Sequence, residues 1–433
     1  MTVTTEKEIE ELSVSQETPP AAARVPRPRE SGAIETPRRQ VSGIVDITSG
    51  GGYLRTAGYR RTAADIPLTT SQIRQYGLRK GDQIEATVTG DRTGPAGNSA
   101  SASTSSSSSA SSASSRNGAR NGQRAKAAGS LAGVTAVNGL PPDEARTRRH
   151  FDDLTPVYPH ERFRLEDGDP SPAARIIDLV SPIGKGQRGL IVAPPKAGKT
   201  TVLKTIANAI ATAYPDVHLM LVLVGERPEE VTDLRRSVRG EVVSSTFDQS
   251  PEEHVLAAEL AIERAKRLAE LGRDVVVMLD SLTRLGRAYN LAAPANGRTL
   301  SGGVAASALQ PPRQFLGAAR CLEEGGSLTI LSTALIDTGS QLDNVLFEEF
   351  KGTGNMELRL RRDLAEKRLF PAIDPVPSGT RREDLLLDPV EYAAVISLRR
   401  ALAALDPQHA LELLLDKTSL PNEKFLREIR NAT

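Results

Sequence analysis

The segment "GLIVAPPKAGKTT", residues 189–201, constrains this chain more than any other. A short apolar run, 190–192, ends at Ala193, and Gly198, Lys199 and Thr200 follow. The spacing is that of a phosphate-binding loop, G-x-x-x-x-G-K-[ST], with Ala193 in place of the first glycine and with Pro194 and Pro195 stiffening the turn. Such a loop needs a buried strand before it and a helix after it. The helix then aims its free N–H groups and the positive end of its dipole at the anion. Gly198 lets the backbone approach a phosphate, Lys199 sets an ammonium near the terminal oxygens, and the Thr200 hydroxyl suits Mg²⁺. An accidental basic turn is the competing reading, and it does not account for the strand–loop–helix context.

The flanking sequence supplies that context. Beyond Ser181, the strand-like runs "GLIVAP", "HLMLVLVG", "EVVSSTF", "VVVMLD" and "SLTILSTAL" alternate with helical stretches such as "EEHVLAAELAIERAKRLAEL". The alternation predicts an α/β domain with a mainly parallel sheet. Two carboxylates end strands. Asp280 closes "VVVMLD" and can hold Mg²⁺, or else cap the next helix. Glu226 closes "LMLVLVGE" and can polarise an attacking water, and Arg227 beside it can sense a γ-phosphate or be a surface arginine. "NGRTLSGGVAAS", with Arg298, is either a flexible connection or a surface that grips a polymer. "SPIGKGQRGL" reads by spacing alone as a tight turn.

Before this domain, "VSGIVDI", "GYLRTA", "DQIEATVTG" and "LAGVTAVNG", with one short helix in "TSQIRQYGL", predict a small β-barrel. A Ser- and Ala-rich insert interrupts it. It holds too few apolar side chains to offset the entropy of ordering, so it is expected to be a floppy loop. Its basic end, with Arg116, Arg120, Arg124 and Lys126, is a solvated linker or a loose tether for nucleic-acid phosphates. Residues 1–40, rich in Pro, Glu and Arg, read as disordered. Lys plus Arg (55) nearly cancels Asp plus Glu (54), so global charge names no partner. The one cysteine, Cys321, excludes a disulfide framework and is read as a buried thiol on an apolar helix. Five scattered histidines give no metal spacing. The polar, acidic start and the shortness of the apolar runs predict a soluble, cytoplasmic protein with no membrane partner.

The motifs "VAPPKAGKT", "GERPEEVTDLRRSVRGEVVSSTFD", "LDSLTRLGRAYN", "SGGVAASAL", "FEEFKGTGNMEL" and "AEKRLFPAIDPVPSGTRRE" closely resemble the bacterial Rho transcription termination factor family. The resemblance is near-continuous from Phe151 to Asp384, weaker over the barrel, and absent from the first 40 residues and the insert. That family has Ala at the position of Ala193. The resemblance implies a RecA-like P-loop ATPase preceded by an OB-fold, cold-shock-like barrel. It further implies an ATP- and Mg²⁺-dependent, RNA-stimulated translocase or helicase that forms a homohexameric ring, binds single-stranded nascent RNA and displaces RNA polymerase. The expected organisation is a disordered segment at 1–40, an OB-fold at 41–140 with the insert at about 93–129, a connector at 141–180, and the motor at 181–433.

Carried over residue by residue, Gly184, Lys185, Gly186, Gln187, Arg188 and Gly189 match nucleotide-contacting positions. So do Lys196, Ala197, Gly198, Lys199, Thr200 and Thr201. Glu226 matches the catalytic glutamate, Arg227 a phosphate-proximal arginine, Asp280 the Walker B aspartate and Phe370 an adenine-packing aromatic. Arg381 matches an arginine finger given to the neighbouring subunit, and Arg368 a second arginine at that junction. Arg298, Thr299, Ser301, Gly302 and Gly303 match one pore loop, and Gly339 and Gln341 a second. In the barrel, Tyr53, Arg55 and Asp65 match the primary RNA site.

The RNA side departs from the family pattern. Gln341 stands where Lys is common, which is expected to weaken pore contacts and their salt dependence, with Arg298 or Lys351 as possible substitutes. Gly51 and Pro67 replace aromatics, and Leu131 stands where Tyr is common. RNA capture is therefore expected to lean partly on the basic insert. Two other readings stay open: a rotary or secretion-type ring ATPase that ignores RNA, and an RNA-binding or anti-termination module with a degenerate motor. The second predicts loss of Lys199, Glu226 or Arg381, and all three are present.

Overall fold

The computed structural model describes residues 38–89, 129–294 and 297–432. The reading of the insert and most of that of the N-terminal segment lie outside those residues. Arg38, Arg39 and Gln40 are the exception. They belong to a strand, paired with Thr89, Val88 and Thr87, although the sequence assigns them to a disordered segment. Backbone pairing holds them there, and side-chain composition carries no signal of it.

Five antiparallel strands form the N-terminal sheet. In sheet order they are Ile66–Leu68, Gly51–Arg55, Arg38–Thr48, Gln83–Thr89 and Ser130–Val137. The two outer strands approach each other, curling the sheet around a core that includes Val45, Leu54, Ile66, Ile84 and Val137. Four of these strands follow the sequence pattern. Ile66–Leu68 escapes it because it is three residues long with Pro67 at its centre, which a sheet tolerates only at an edge. The short helix Thr70–Tyr76 opens with a capping box, in which Thr69 and Gln72 satisfy each other's backbone N–H groups.

The central sheet carries the predicted α/β domain. Its main order is Glu241–Thr246, His218–Glu226, Asp274–Asp280, Ser327–Leu335, Arg188–Ala193, Met356–Leu360 and Ile373–Thr380. All neighbours are parallel except the last pair. The central strands are rich in apolar residues because helices cover both faces, while the outer strands Glu241–Thr246 and Ile373–Thr380 are more polar. Helix Lys199–Ala213 and the C-terminal helices Pro389–Ala403 and Pro407–Lys417 pack one face. Helices Pro251–Ala269, Leu282–Ala292, Ala306–Gly317 and Gln341–Lys351 pack the other. The strand before the phosphate loop serves both cores: Ile191 points to the first, Leu190 and Val192 to the second.

Cys321 is buried, but on the short strand Arg320–Leu322 and not on a helix. The helical spacing of "FLGAARCLEE" ends one turn too early, at Gly317. Burial pushes the thiol above its ordinary range, which disfavours the nucleophilic thiolate. Among the described residues no helix is long and apolar enough to cross a membrane.

The barrel is fastened to helix Pro251–Ala269 and its end. Glu270, fully buried, receives Arg79 at 3.1 Å and Arg267 at 3.0 Å, and accepts the Phe151 N–H at 2.9 Å. Arg148 bridges Glu270 to the barrel's Asp82. Removing one member of such a buried set strands a charge, a cost of roughly 3–5 kcal/mol. Ile44 and Tyr59 of the barrel join the apolar core of the second sheet face. At the tightest point Gly81 has φ +87°, and a Cβ there would lie 2.4 Å from the Glu263 carbonyl carbon. Gly81→Ala is therefore expected to destabilise the docked barrel by about 2 kcal/mol or more. Calorimetry checks this: the expected result is a lower unfolding midpoint, and an unchanged midpoint contradicts the tight seating of Gly81.

Candidate active site and nucleic-acid interface

Ala193 is the last residue of its strand, and its methyl group is packed in the core that lies under helix Lys199–Ala213. That core accommodates the methyl, so a first glycine is not required. The loop turns through Lys196 (φ 68°) and Gly198 (φ 88°), and Ala197 is buried between them. Lys199 opens the helix. No side chain caps it, so its first N–H groups are available to an anion. Thr200 is half-buried and Thr201 exposed on the first turn. Phe370, 50% exposed, lays its ring 3.8 Å from where a Cβ on Gly198 would stand. It forms an apolar shelf beside the cradle, fit for a flat base.

The strand-end acids converge on the lysine. Lys199 Nζ donates to Glu226 Oε1 at 3.2 Å and to Asp280 Oδ1. Both carboxylates are almost fully buried. Asp280 Oδ1 also accepts the Thr333 hydroxyl at 2.8 Å. The helix after Asp280 is capped by Ser281, so Asp280 is not spent on that task. Glu229 and Glu230 occupy the first turn of helix Pro228–Ser237, which leaves Glu226 free of a dipole role. Burial, with the Asp280 charge adding to it, pushes the Glu226 carboxyl up to about 6, against the pull of Lys199 and Arg284. A carboxylate poised there can accept a proton from water near neutral pH. Arg227 is exposed, with Glu230 at 4.0 Å.

Sequence reasoning missed Arg284. It lies on the first turn of the helix after Asp280, pairs with Glu226 Oε2 at 3.0 Å, donates to the Gly225 carbonyl, and so helps fix the carboxylate's orientation. Its position in "LDSLTRLGRAYN" was the available signal, since the first turn of the helix that follows Asp280 lies beside the strand ends.

The structure does not bring residues 184–189 to this cradle. Gly184 pairs with Arg162, while Gln187 donates to the Asn355 side chain at 2.7 Å. These residues precede or open the strand Arg188–Ala193, whose other end leads into the loop roughly 17 Å away at about 3.3 Å per residue. Lys185 is engaged by Glu161 at 2.6 Å and Asp274 at 2.8 Å. Arg188 is fixed by the carbonyls of Thr353 and Ala319. Arg381 stands with them, at the end of the sheet opposite the loop. The Arg381 N–H donates to Asn355 O at 2.9 Å, and its guanidinium holds no ion pair among the described residues. Arg368, exposed, is instead two residues from Phe370, on the cradle side.

The two predicted pore loops meet. Thr299–Leu300 pairs with Val304–Ala305, and Asn290 braces this ribbon through Gly303 O and Ala305 N–H. Gly302 turns it with φ 76°, and a Cβ there would lie 3.3 Å from the backbone of Gln341. Gly339 (φ 75°) lies in the second loop, and Gln341 is exposed at the start of its helix. Arg298 and Thr299 are exposed; Ser301 lies in the turn of the ribbon. Asp343 ties the second loop down, taking Thr338 at 2.6 Å and Arg287 at 2.8 Å. Lys351 is not near Gln341. It ends the same helix, roughly 15 Å away at about 1.5 Å per residue, and borders Arg381's surface.

On the barrel, Tyr53 is 42% exposed and faces Asp46 and Pro67 across the strands. Arg55 lies under it, 5.0 Å from the ring centre, buried and bridged to Asp46 and to Asp65 at 2.5 Å. Arg55 and Asp65 thus orient the ring and are not open phosphate ligands. Leu131 is in the barrel core at 7% exposure, so an aromatic there is not a missing base platform. Gly51 has φ +142° and leaves only 3.1 Å between a Cβ and the Leu68 carbonyl.

Comparison with known proteins fits these two halves. The family description "Rho termination factor, RNA-binding domain" matches residues 41–143, and "ATP synthase alpha/beta family, nucleotide-binding domain" matches 173–380. Transcription termination factor Rho of Streptosporangium roseum is 54% identical over 417 residues, covering 96% of this chain and 97% of its own length. Rho of Streptomyces lividans is 54% identical over 395 residues, 91% of this chain and 52% of that one. Rho of Mycobacterium tuberculosis is 50% identical over 395 residues, 91% of this chain and 62% of that one. Among solved structures, a prototypical ATPase of a type III secretion system of pathogenic bacteria aligns with a TM-score of 0.54. It is 25% identical and covers 65% of this chain and 87% of its own.

Because Glu226 must be ionised to accept a proton, kcat/KM for ATP is expected to be full above about 6 and to fall as pH drops through that value. Arg284 holds the Glu226 carboxyl down, so Arg284→Ala should move the acid limb to higher pH. A pH–rate profile measures this, and an unmoved limb contradicts the role given to Arg284.

Proposed function

The chain belongs to the Rho transcription termination factor family, and from that premise we propose how its parts work. It is an RNA-binding, ATP-dependent termination factor. In this reading it acts as a cytoplasmic homohexameric ring that captures single-stranded nascent RNA, draws it through the pore and displaces RNA polymerase. The barrel, 41–140, captures; the connector, 141–180, joins; the motor, 181–433, hydrolyses ATP.

At the cradle, arriving phosphates compete with Glu226 and Asp280 for the Lys199 ammonium. Glu226 is then free to orient and deprotonate water, with Arg284 holding its second oxygen. Phe370 packs against the adenine, and Arg227 and Arg368 approach the phosphates from the exposed side. The buried Asp280 carboxylate and the Thr200 hydroxyl form an all-oxygen donor set of the kind Mg²⁺ takes. Mg²⁺ held there would neutralise charge on the terminal phosphates.

The observation that carries the ring assembly is the place of Arg381. It sits at the opposite end of the sheet from the chain's own Lys199, too far to reach its own phosphate, and has no acidic partner among the described residues. A neighbouring copy's nucleotide supplies the anion that Arg381 lacks. Gln187 and Arg188 share that end, so their contribution to a nucleotide is also to the neighbour's. An arginine supplied in trans is worth roughly 10³ to 10⁵ in rate in other NTPases.

The likeness to a secretion ATPase keeps one rival in view, a ring that ignores RNA. The barrel with its exposed Tyr53 favours the RNA-driven reading. ATP hydrolysis measured with and without a panel of single-stranded RNAs separates the two. The expected result is a low rate alone and a strong rise with pyrimidine-rich RNA. Tyr53→Ala should weaken RNA binding by the loss of roughly 1–3 kcal/mol of stacking. Hydrolysis indifferent to every RNA would favour the rival.

A further inference from the structure

One loop of the barrel touches both the RNA-facing surface and the motor. Residues 56–65 connect the strands Gly51–Arg55 and Ile66–Leu68. At the loop's end Asp65 holds Arg55, which lies under the Tyr53 ring. The same Asp65 accepts the Thr62 N–H and hydroxyl, both at 2.9 Å, so the loop is drawn tight on that side. At its middle the loop grips the motor's edge strand, Glu241–Thr246. The Tyr59 hydroxyl donates to Glu241 Oε1 at 2.5 Å, and Arg60 donates to the Ser244 carbonyl at 3.2 Å.

Glu241 starts that strand, and its other oxygen accepts His218 Nε2–H at 2.8 Å. His218 starts the strand that ends at Glu226. Glu241 therefore clasps the first residues of two parallel strands. Their last residues are also partnered: Glu226 registers with Thr246, and the Phe247 N–H donates to the Glu226 carbonyl at 3.2 Å. Between Val224 and Glu226 the register slips at Gly225, φ 66°, the carbonyl of which receives Arg284. The one irregular point in this strand pair lies beside the catalytic carboxylate. Tyr59 is 9% exposed, and burial keeps its hydroxyl protonated, so it stays a donor.

We propose that residues 56–65 transmit RNA occupancy at Tyr53 to the ATPase site, with Tyr59 and Glu241 as positioning residues that set the edge strand against Glu226. The inference rests on the RNA-driven reading of the ring. RNA stacking on Tyr53 shifts Arg55 and Asp65. The loop carries the shift to Glu241, and the strand pair delivers it to the slip at Gly225.

The test uses the full chain as its assembled ring. Tyr59→Phe removes only the hydroxyl, and Glu241→Gln removes the carboxylate it meets. Three quantities are measured for each: affinity for a labelled pyrimidine-rich RNA, the ATPase rate without RNA, and kcat at saturating RNA. The expected result is unchanged affinity and basal rate, with RNA-stimulated kcat lowered by roughly tenfold, the scale of one lost hydrogen bond to a charged group. The double variant should be no worse than the worse single one, because both changes break one contact. A stimulated kcat equal to the unsubstituted protein's overturns the proposal. So does a loss shared equally by basal and stimulated rates, which marks a merely structural role. If the unsubstituted ring ignores RNA, the RNA-driven reading itself fails and the proposal falls with it.

Discussion

The parallel register of the central sheet decides where every chemical group stands. Parallel strands send all their C-terminal ends to one side, and there the phosphate loop, Glu226, Asp280 and the loop at 337–341 are collected. The only reversal on the main path is the final strand, Ile373–Thr380, which carries Arg381 back to the other side. One antiparallel pairing therefore separates the arginine from its own cradle by the height of the sheet. The proposed meeting of one copy's cradle with another's arginine rests on that separation.

Electrostatics at the cradle then become legible. Two buried carboxylates face one ammonium, and Arg284 adds a second positive charge to Glu226. In a site this dry, a phosphate that draws Lys199 toward itself changes the environment of Glu226 directly. Thr333 links Asp280 to the strand that leads into the second pore loop. The proposed polymer contact at residues 337–341 and the charge at the cradle would thus be joined by a single strand.

Much of this was readable in the sequence, because strand-end motifs couple chemistry to topology. Lys199, Glu226 and Asp280 lie within one hydrogen-bonded set, as their strand–loop contexts imply. What escaped depended on contacts between residues far apart in the chain. Arg55 read as an RNA ligand, but its partners Asp46 and Asp65 come from neighbouring strands. Leu131 read as part of a thinned platform, yet a bulged register turns it into the core. Lys351 looked close to Gln341 in sequence, and ten residues of helix set them apart. The docking of the barrel, with Gly81 against Glu263, has no local signature at all.

The barrel's surface is therefore less depleted than the sequence suggests: one exposed tyrosine stands on a buried, charge-balanced base. The most direct test of the account is complementation between two inactive chains. One carries Lys199→Ala, the other Arg381→Ala, and each is assayed alone and after mixed assembly for RNA-stimulated ATP hydrolysis. The account predicts little activity from either alone and recovered activity in mixed rings, where an intact cradle meets an intact arginine. Mixed rings that form but stay as inactive as their parents would contradict it.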